Sequence, residues 1–255
     1  MKKKSLSIVT FLFVNIFLSS HLYGIEEPLQ WGENVSGVST NFFTTKKEIA
    51  LTFDACGGNT FSRGYDKELV DFLIKNKIPA TLFLNAGWIE TNIEIFKQLQ
   101  KIPFFELENH GMKHRPLFIN GKSIYKRKGT NSKKEVIEEV DENNKLFTSL
   151  HQTRPLFFRS GTAYYDEIAV DIVRKKLNME IAGFSVNSDR GATLTKNEIV
   201  NILCNSSSGD IVIAHMNHPE GFTAEGFIEG LKILKEKGFS FVKLSNVKDS
   251  LIRIP

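Results

Sequence analysis

Short apolar runs alternate with longer amphipathic stretches from residue 48 onward. The apolar runs predict seven strands, over residues 48–53, 80–84, 104–107, 156–158, 180–186, 211–214 and 240–243. The amphipathic stretches, in which apolar residues recur at helical spacing, predict five helices, over residues 65–77, 132–147, 166–176, 196–203 and 222–237. This alternation favours a parallel β/α architecture, either a doubly wound open sheet or a closed barrel.

Polar residues stand at or just after the carboxyl ends of six predicted strands. They are Asp54, Asn85, His110, Arg159, Asn187 or Asp189, and His215. In a β/α barrel these ends converge on one mouth, where catalytic groups gather, whereas an open sheet spreads them along a crevice. The pattern therefore favours the barrel.

Composition and charge exclude several classes of protein. The 255 residues are 24% charged and 41% hydrophobic, which excludes a disordered chain, a collagen-like repeat and a multi-span membrane protein. Three of the 33 basic residues are lysines at positions 2–4, which leaves 30 against 29 acidic residues in the body. A nearly neutral body gives no reason to expect a nucleic-acid partner.

The N-terminus has the pattern of an export signal. Three lysines precede a mostly apolar run over residues 8–18, and small or polar residues follow at Ser19, Ser20 and Gly24. Eleven helical residues rise about 16 Å, too short for a hydrocarbon core of about 30 Å. We predict a signal peptide over residues 1–24 and one folded domain over residues 25–255, with no stable membrane span after signal removal. The alternative is an uncleaved anchor, and in both cases the domain lies outside the cytoplasm, in the periplasm or secreted.

Two strand ends carry residue types suited to metal binding and proton transfer. His110 and His114 are four residues apart, so both imidazoles can face one ion, although such pairs also occur as surface histidines. Asp54 follows an apolar strand and is either a general base or the cap of the next helix.

Two further strand ends complete the candidate chemistry. Arg159 leaves a buried strand and needs a carboxylate partner, for which Asp54 and Asp189 are candidates. The turn after it could direct backbone N–H groups at an oxyanion. His215 ends an apolar strand and is either functional or a structural histidine. The basic loop over residues 115–131 is either a solvated loop or a wall of a groove that meets an anionic glycan.

Five segments in order along the chain resemble the polysaccharide deacetylases of the NodB-homology group, carbohydrate esterase family 4. The family's Thr-Phe-Asp-Asp is similar to Thr52-Phe53-Asp54-Ala55, and its His-Ser/Thr-x-x-His to His110-Gly111-Met112-Lys113-His114. Its Arg-x-Pro-Tyr-Gly is similar to Arg159-Ser160-Gly161-Thr162-Ala163, its Asp-x-x-Asp-Trp to Asn187-Ser188-Asp189-Arg190, and its Leu-x-His to Ile213-Ala214-His215. The resemblance runs from about residue 49 to residue 251.

The resemblance implies a distorted (β/α)7 barrel with a parallel sheet that removes acetyl groups from N-acetylated sugars, such as those of peptidoglycan. It also implies a divalent ion, usually zinc, on two histidines and an aspartate, which activates a water. Carried over to this sequence, Asp54 is the base, Arg159 orients it, and Thr162 offers a backbone N–H to the oxyanion. His215 is the acid, which Asp189 tunes.

One departure from the family pattern leaves the metal site incomplete. The family's metal-binding carboxylate falls on Ala55, which cannot ligate, and a metal site needs about three protein ligands. Asp54 itself, the thiolate of Cys56 or water could complete the site, and Asp54 is the ligand we favour. The same cysteine could instead pair with Cys204 in a disulfide.

Two other functions compete with a zinc-dependent N-deacetylase. The first is a glycan-binding pseudo-deacetylase, in which Trp88, Tyr164 and Tyr165 stack on sugars. The second is a hydrolase of a small amide or a cyclic ureide, with or without metal. The sequence specifies neither the glycan nor the oligomeric state.

Overall fold

The strands and helices follow one another in the order that a β/α barrel requires. The computed structural model describes residues 27–57, 61–150 and 152–255. The predicted signal peptide lies outside the described residues. The described strands are β1 (Trp31–Gly32), β2 (Val38–Phe42), β3 (Glu48–Ala55), β4 (Ala80–Leu84), β5 (Phe105–Asn109), β6 (Ser123–Ile124), β7 (Arg127–Lys128), β8 (Phe157–Phe158), β9 (Tyr165–Asp166), β10 (Glu180–Ala182), β11 (Val186–Asn187), β12 (Ile211–His215), β13 (Ser240–Val242) and β14 (Leu251–Arg253).

The helices lie mainly between consecutive strands of the main sheet. They are α1 (Lys67–Lys75), α2 (Ala86–Thr91), α3 (Ile93–Leu99), α4 (Lys133–Ser149), α5 (Glu167–Asp171), α6 (Lys196–Cys204) and α7 (Thr223–Glu236). Short 3₁₀ turns cover Phe61–Arg63, Gly161–Ala163 and Leu244–Ser250, and a π-helical turn covers Ile172–Lys176. No helix in the described part of the chain is long and apolar enough to cross a membrane.

The main sheet is curled and mostly parallel. Its strand order is β11-β12-β3-β4-β5-β8-β10-β2-β14, and β13 also pairs with β3. Every pairing in it is parallel except that of β14 with β2. Asn41 of β2 forms a bridge with Asp210, the residue before β12, so the path from β12 to β2 returns to near its start after seven strands. The distorted (β/α)7 barrel with a parallel sheet is thereby confirmed.

Alternation along β3 separates the two faces of the sheet. Phe53 packs outward against Phe227 of α7, with ring centroids 5.0 Å apart. Thr52 and Asp54 face inward, where both accept hydrogen bonds from the Arg159 side chain. Because helices cover the outer face and side chains fill the inner one, β3 is buried from its second residue to its last. Its apolar run therefore delivers Asp54 to the barrel mouth.

Several predicted elements differ from the observed ones. The strand predicted over residues 180–186 is two strands, β10 and β11, because the carbonyls of Ala182 and Gly183 accept hydrogen bonds from Arg159. The helix predicted over residues 166–176 is α-helical only to Asp171. Strand β2 and helices α2 and α3 were not predicted. Cys56 and Cys204 are free thiols, so they form no disulfide.

Candidate functional site

The two histidines of the predicted metal pair meet through their ring nitrogens. His110 follows β5, and its Nε2 lies 3.1 Å from Nε2 of His114. His110 Nδ1 lies 2.9 Å from the carbonyl oxygen of Arg159. Because a carbonyl only accepts, Nδ1 donates to it, and Nε2 is the ring nitrogen that faces the site. Burial lowers the pKa of His114, which favours the neutral imidazole that binds metals.

Cys56 joins this pair from the end of β3. Its Sγ lies 3.6 Å from His110 Nε2, and the ligand atoms of Cys56, His110 and His114 all lie within 4.8 Å of one another. Among the described residues this is the group of three buried side chains that could hold a metal ion. Burial raises the pKa of the Cys56 thiol, but the electrostatic effect of the adjacent His114 and hydrogen bonds to neighbouring histidines hold that pKa well below its usual range. Two imidazoles and a thiolate fit zinc.

A carboxylate and an amide shape the backbone between the two histidines. Glu139 of α4 accepts hydrogen bonds from the backbone N–H groups of Lys113 and Arg115, at 2.9 and 3.1 Å. Asn85 caps α2 and donates to the carbonyl of Gly111 at 2.6 Å. Burial raises the pKa of Glu139 to about 7, although the N–H groups that it accepts lower it. Asn85 was predicted at the barrel mouth without a role, and Glu139, which lies on a helix, was not predicted.

Arg159 holds Asp54 in a buried ion pair. Its Nη1 donates to Asp54 Oδ1 at 2.8 Å and to Thr52 Oγ1 at 2.9 Å. Its Nε and Nη2 donate to the carbonyls of Ala182 and Gly183, both at 2.9 Å. The guanidinium is thus fixed in a fully buried position, and it leaves Asp54 Oδ2 facing His110 Nε2 at 3.6 Å. Of the two carboxylates predicted as partners of Arg159, Asp54 is the one that it contacts.

Asp189 instead pairs with His215. His215 Nδ1 lies 2.9 Å from Asp189 Oδ1, and the His215 backbone N–H donates to Oδ2 at 2.7 Å. Thr223 and the Gly191 N–H also donate to this carboxylate. Burial alone lowers the pKa of His215, but the negative charge and hydrogen bond of Asp189 raise it well above its usual range. The same pair holds the pKa of Asp189 below its ordinary value, against the effect of burial.

The turn after Arg159 lies directly against the histidine pair. A Cβ on Gly161 would come within 2.2 Å of the His114 carbonyl oxygen, so only glycine allows this approach. Thr162 follows with φ of 79°, and His114 itself has φ of 57°. Both non-glycine residues are in the left-handed region, which is uncommon and is concentrated at functional sites. The role of the Thr162 backbone N–H in binding an oxyanion stays a prediction.

One cavity of about 500 Å³ joins these groups. It is lined by Glu33, Asp54, Cys56, His110, His114, Tyr125, Arg127, Thr162, Ala163, Phe184, Asn187, Arg190, Gly191, Ile213 and His215. Of the seven residues predicted for catalysis and metal binding, five line the cavity, namely Asp54, His110, His114, Thr162 and His215. The other two, Arg159 and Asp189, hydrogen-bond to Asp54 and His215. The catalytic roles and the metal-ligand role of Asp54 stay predictions.

The basic loop over residues 115–131 contributes to the cavity wall. Tyr125 and Arg127 line the cavity from the β6–β7 hairpin, while contact of this wall with an anionic glycan stays a prediction. The alternation that turns Thr52 and Asp54 inward also places Cys56 inside, and this signal could have favoured it as a ligand.

Two aromatic side chains proposed as sugar-stacking platforms cannot serve as such. Trp88 and Tyr165 are fully buried, so that prediction is wrong for both. The Trp88 indole N–H donates to the Gly64 carbonyl, and the Tyr165 hydroxyl accepts from the Ser160 N–H. Tyr164 lies in ring contact with Tyr125, which is exposed.

Comparisons with known proteins identify the family of the chain. The family model for polysaccharide deacetylase matches residues 43–181, more than half of the chain. A curated relative, an uncharacterized 30.6 kDa protein of Geobacillus stearothermophilus, is 23% identical over 80% of this chain and 71% of its own length.

Solved structures share the fold. The Bc1960 peptidoglycan N-acetylglucosamine deacetylase has a TM-score of 0.69 and 22% identity, over 83% of this chain and 92% of that one. BA3943 of Bacillus anthracis, described as a CE4 family pseudoenzyme, has a TM-score of 0.68 and 19% identity, over 83% and 68% of the two chains. From the matched family model, the chain belongs to the polysaccharide deacetylase family.

Proposed function

We propose that this chain is an exported hydrolase, periplasmic or secreted, that removes N-acetyl groups from a polysaccharide such as peptidoglycan. The observation that carries the proposal is the placement of two charged pairs on one cavity. Asp54, held by Arg159, and His215, held by Asp189, line the same cavity as the paired imidazoles of His110 and His114. This arrangement offers a base, an acid and a metal site to one substrate amide.

The residues of the chain divide the reaction between them. Bound zinc supplies Lewis-acid polarisation, which an unreactive amide needs. Asp54 accepts a proton from the attacking water, while Arg159 keeps its carboxylate in place. The amide carbonyl becomes an oxyanion as the water oxygen bonds to its carbon, and the Thr162 backbone N–H donates to that oxyanion. His215, protonated because Asp189 raises its pKa, donates a proton to the leaving amine, and acetate remains.

Three observations support a glycan as the substrate. The cavity is open, and its wall carries Arg127, Arg190 and Glu33, which can hydrogen-bond sugar hydroxyls or carboxylates. A solved relative with this fold is described as a peptidoglycan N-acetylglucosamine deacetylase. The N-terminal pattern of lysines and an apolar run is typical of an exported protein, and peptidoglycan lies outside the cytoplasm.

Acetate release tests the proposal. The full chain, loaded with zinc, is incubated with peptidoglycan and with N-acetylglucosamine oligomers, and acetate is quantified before and after chelation. We expect release that chelator abolishes and that Asp54→Asn reduces by at least about a hundredfold, the usual contribution of a general base. Asp71→Asn is the matched control. Asp71 is exposed on α1, and its ion pair is with the exposed Lys67. No release from any glycan, or release that Asp54→Asn leaves intact, would contradict the proposal.

A glycan-binding pseudo-deacetylase is the second candidate. Ala55 stands where the family has its metal carboxylate, and a relative with this fold is described as a pseudoenzyme. This candidate expects glycan binding without acetate release, and binding that His215→Ala leaves unchanged. Isothermal titration with the same oligomers, run beside the acetate assay, separates the two functions.

A further inference from the structure

Cys56 is placed to supply the metal ligand that Ala55 cannot provide. Ala55 points away from the cavity and has no ligand atom, whereas Cys56 lines the cavity beside both imidazoles. Asp54 has one oxygen bound by Arg159, and its other oxygen is 3.6 Å from His110 Nε2. The chain therefore offers sulfur at the place where a third donor is needed.

We propose that the Cys56 thiolate, with His110 and His114, binds the metal ion in place of the family's carboxylate, so that Asp54 is kept as the base. The inference deepens the proposed function and rests on it for the use of the metal. On binding, the sulfur lone pair forms the bond to the ion, and the thiol proton is released to solvent. The resulting centre has two nitrogen donors, one sulfur donor and a position left for water or substrate, which is the composition of catalytic zinc sites.

Two of the three distances between the donor atoms match those that a tetrahedral zinc ion imposes. Zinc–nitrogen bonds of about 2.05 Å and zinc–sulfur bonds of about 2.3 Å put a nitrogen and a sulfur ~3.6 Å apart and two nitrogens ~3.3 Å apart. The observed separations are 3.6 Å between Cys56 Sγ and His110 Nε2, and 3.1 Å between the two imidazole nitrogens. The third pair, Cys56 with His114, lies within 4.8 Å.

The orientation of His110 also directs a donor atom into the cluster. His110 Nδ1 lies 2.9 Å from the Arg159 carbonyl oxygen. Its Nε2 is therefore turned toward Cys56 Sγ, His114 Nε2 and Asp54 Oδ2, within 3.6 Å of each. A soft sulfur donor further favours zinc or cobalt over magnesium or calcium.

Cobalt substitution tests the inference by spectroscopy rather than by turnover. The metal-free full chain is titrated with Co²⁺, and absorption is followed in the region of sulfur-to-cobalt charge transfer. Cys204→Ser is the matched control, because Cys204 is the other free thiol and lies on α6, outside the cluster. In that variant Cys56 is the remaining thiol, and we expect one equivalent of cobalt with the charge-transfer band intact. Because the parent chain is titrated with Cys56 in place, misfolding of a Cys56 variant cannot obscure this measurement.

Substitution of the sulfur gives the complementary result. We expect Cys56→Ser to abolish the band and to weaken zinc affinity at least tenfold, measured by competition with a chromophoric chelator. Cobalt bound at one equivalent without the band, a band that persists in Cys56→Ser, or no cobalt bound at all would overturn the inference. A charge-transfer band without acetate release would contradict the proposed function but support Cys56 as a ligand. Chelator-sensitive acetate release without the band would support the proposed function but contradict Cys56 as a ligand.

Discussion

Replacing Arg159 by methionine tests the buried ion pair on which the site depends. Methionine keeps a comparable unbranched length but removes every hydrogen-bond donor of the guanidinium. Asp54 then loses its charge partner, and the carbonyls of Ala182 and Gly183 lose their donors. Since Arg159 is fully buried, water cannot replace these bonds without opening the barrel interior.

The expected cost follows from the burial of the pair. Removing one partner of a buried ion pair costs about 3–5 kcal/mol, because the other charge is left uncompensated. A domain of 150–250 residues loses about 2–4 °C in Tm per kcal/mol, so Arg159→Met is expected to lower Tm by roughly 6–20 °C. Asp54→Asn in the same background removes the stranded charge. The double variant is therefore expected to be more stable than the two single changes predict by about 1.5–3 kcal/mol.

Denaturant unfolding followed by circular dichroism measures both quantities, with calorimetry for Tm. Arg253→Met is the control, because Arg253 makes a two-point contact with Glu180 but lies half-exposed at the surface. An exposed pair is worth about 1 kcal/mol or less. If Arg159→Met unfolds within about 2 °C of the parent, or if the two changes are additive, Arg159 does not compensate the charge of Asp54.

Three further predictions concern other groups of the site. Asp189→Asn removes the charge that raises the pKa of His215. The basic limb of the pH profile of acetate release should therefore shift to lower pH, because His215 loses its proton earlier. A basic limb that does not shift would contradict this role of Asp189. Gly161→Ala puts a Cβ within 2.2 Å of the His114 carbonyl oxygen. We therefore expect the free energy of unfolding to fall by about 1–3 kcal/mol and zinc binding to weaken. If both quantities are unchanged, the close approach of Gly161 to His114 is refuted. Glu139 has its folded pKa raised from 4.5 to about 7, so its native form holds the proton more tightly and stability falls as pH rises through that window. Glu139→Gln should remove this penalty of about 3 kcal/mol above pH 7 and change little near pH 4, as unfolding curves at the two pH values would reveal.

Much of the barrel mouth could be predicted because parallel strands end together. An apolar run that ends in a polar residue marks a strand that carries a side chain to the mouth, and Asp54 and His215 follow this rule. His110 instead follows β5, in which apolar and acidic residues alternate. The partner of Arg159 could not be chosen in this way. Strand order decides it, since β8 lies across the barrel interior from β3, and no local pattern encodes that order.

The missed elements have little apolar signal of their own. Strand β2 reads Val-Ser-Thr-Asn-Phe, and its buried Ser39 and Thr40 are held by pairing with β10 and β14 rather than by hydrophobic alternation. Helix α2 has six residues and contains Gly87, so its helical period is too short to recognise. Both elements depend on contacts formed only after the sheet has assembled.

The pairing of β14 with β2 has a consequence for how the chain reaches its native state. Leu251 lies opposite Phe42, and the Ile254 N–H donates to the Val38 carbonyl, so the two partners are about two hundred residues apart in sequence. Such distant contacts form late, because a large loop must close first. Until then one border of β2 presents unpaired amide and carbonyl groups, a template on which another chain can add a strand. Aggregation during refolding is therefore expected to begin at β2.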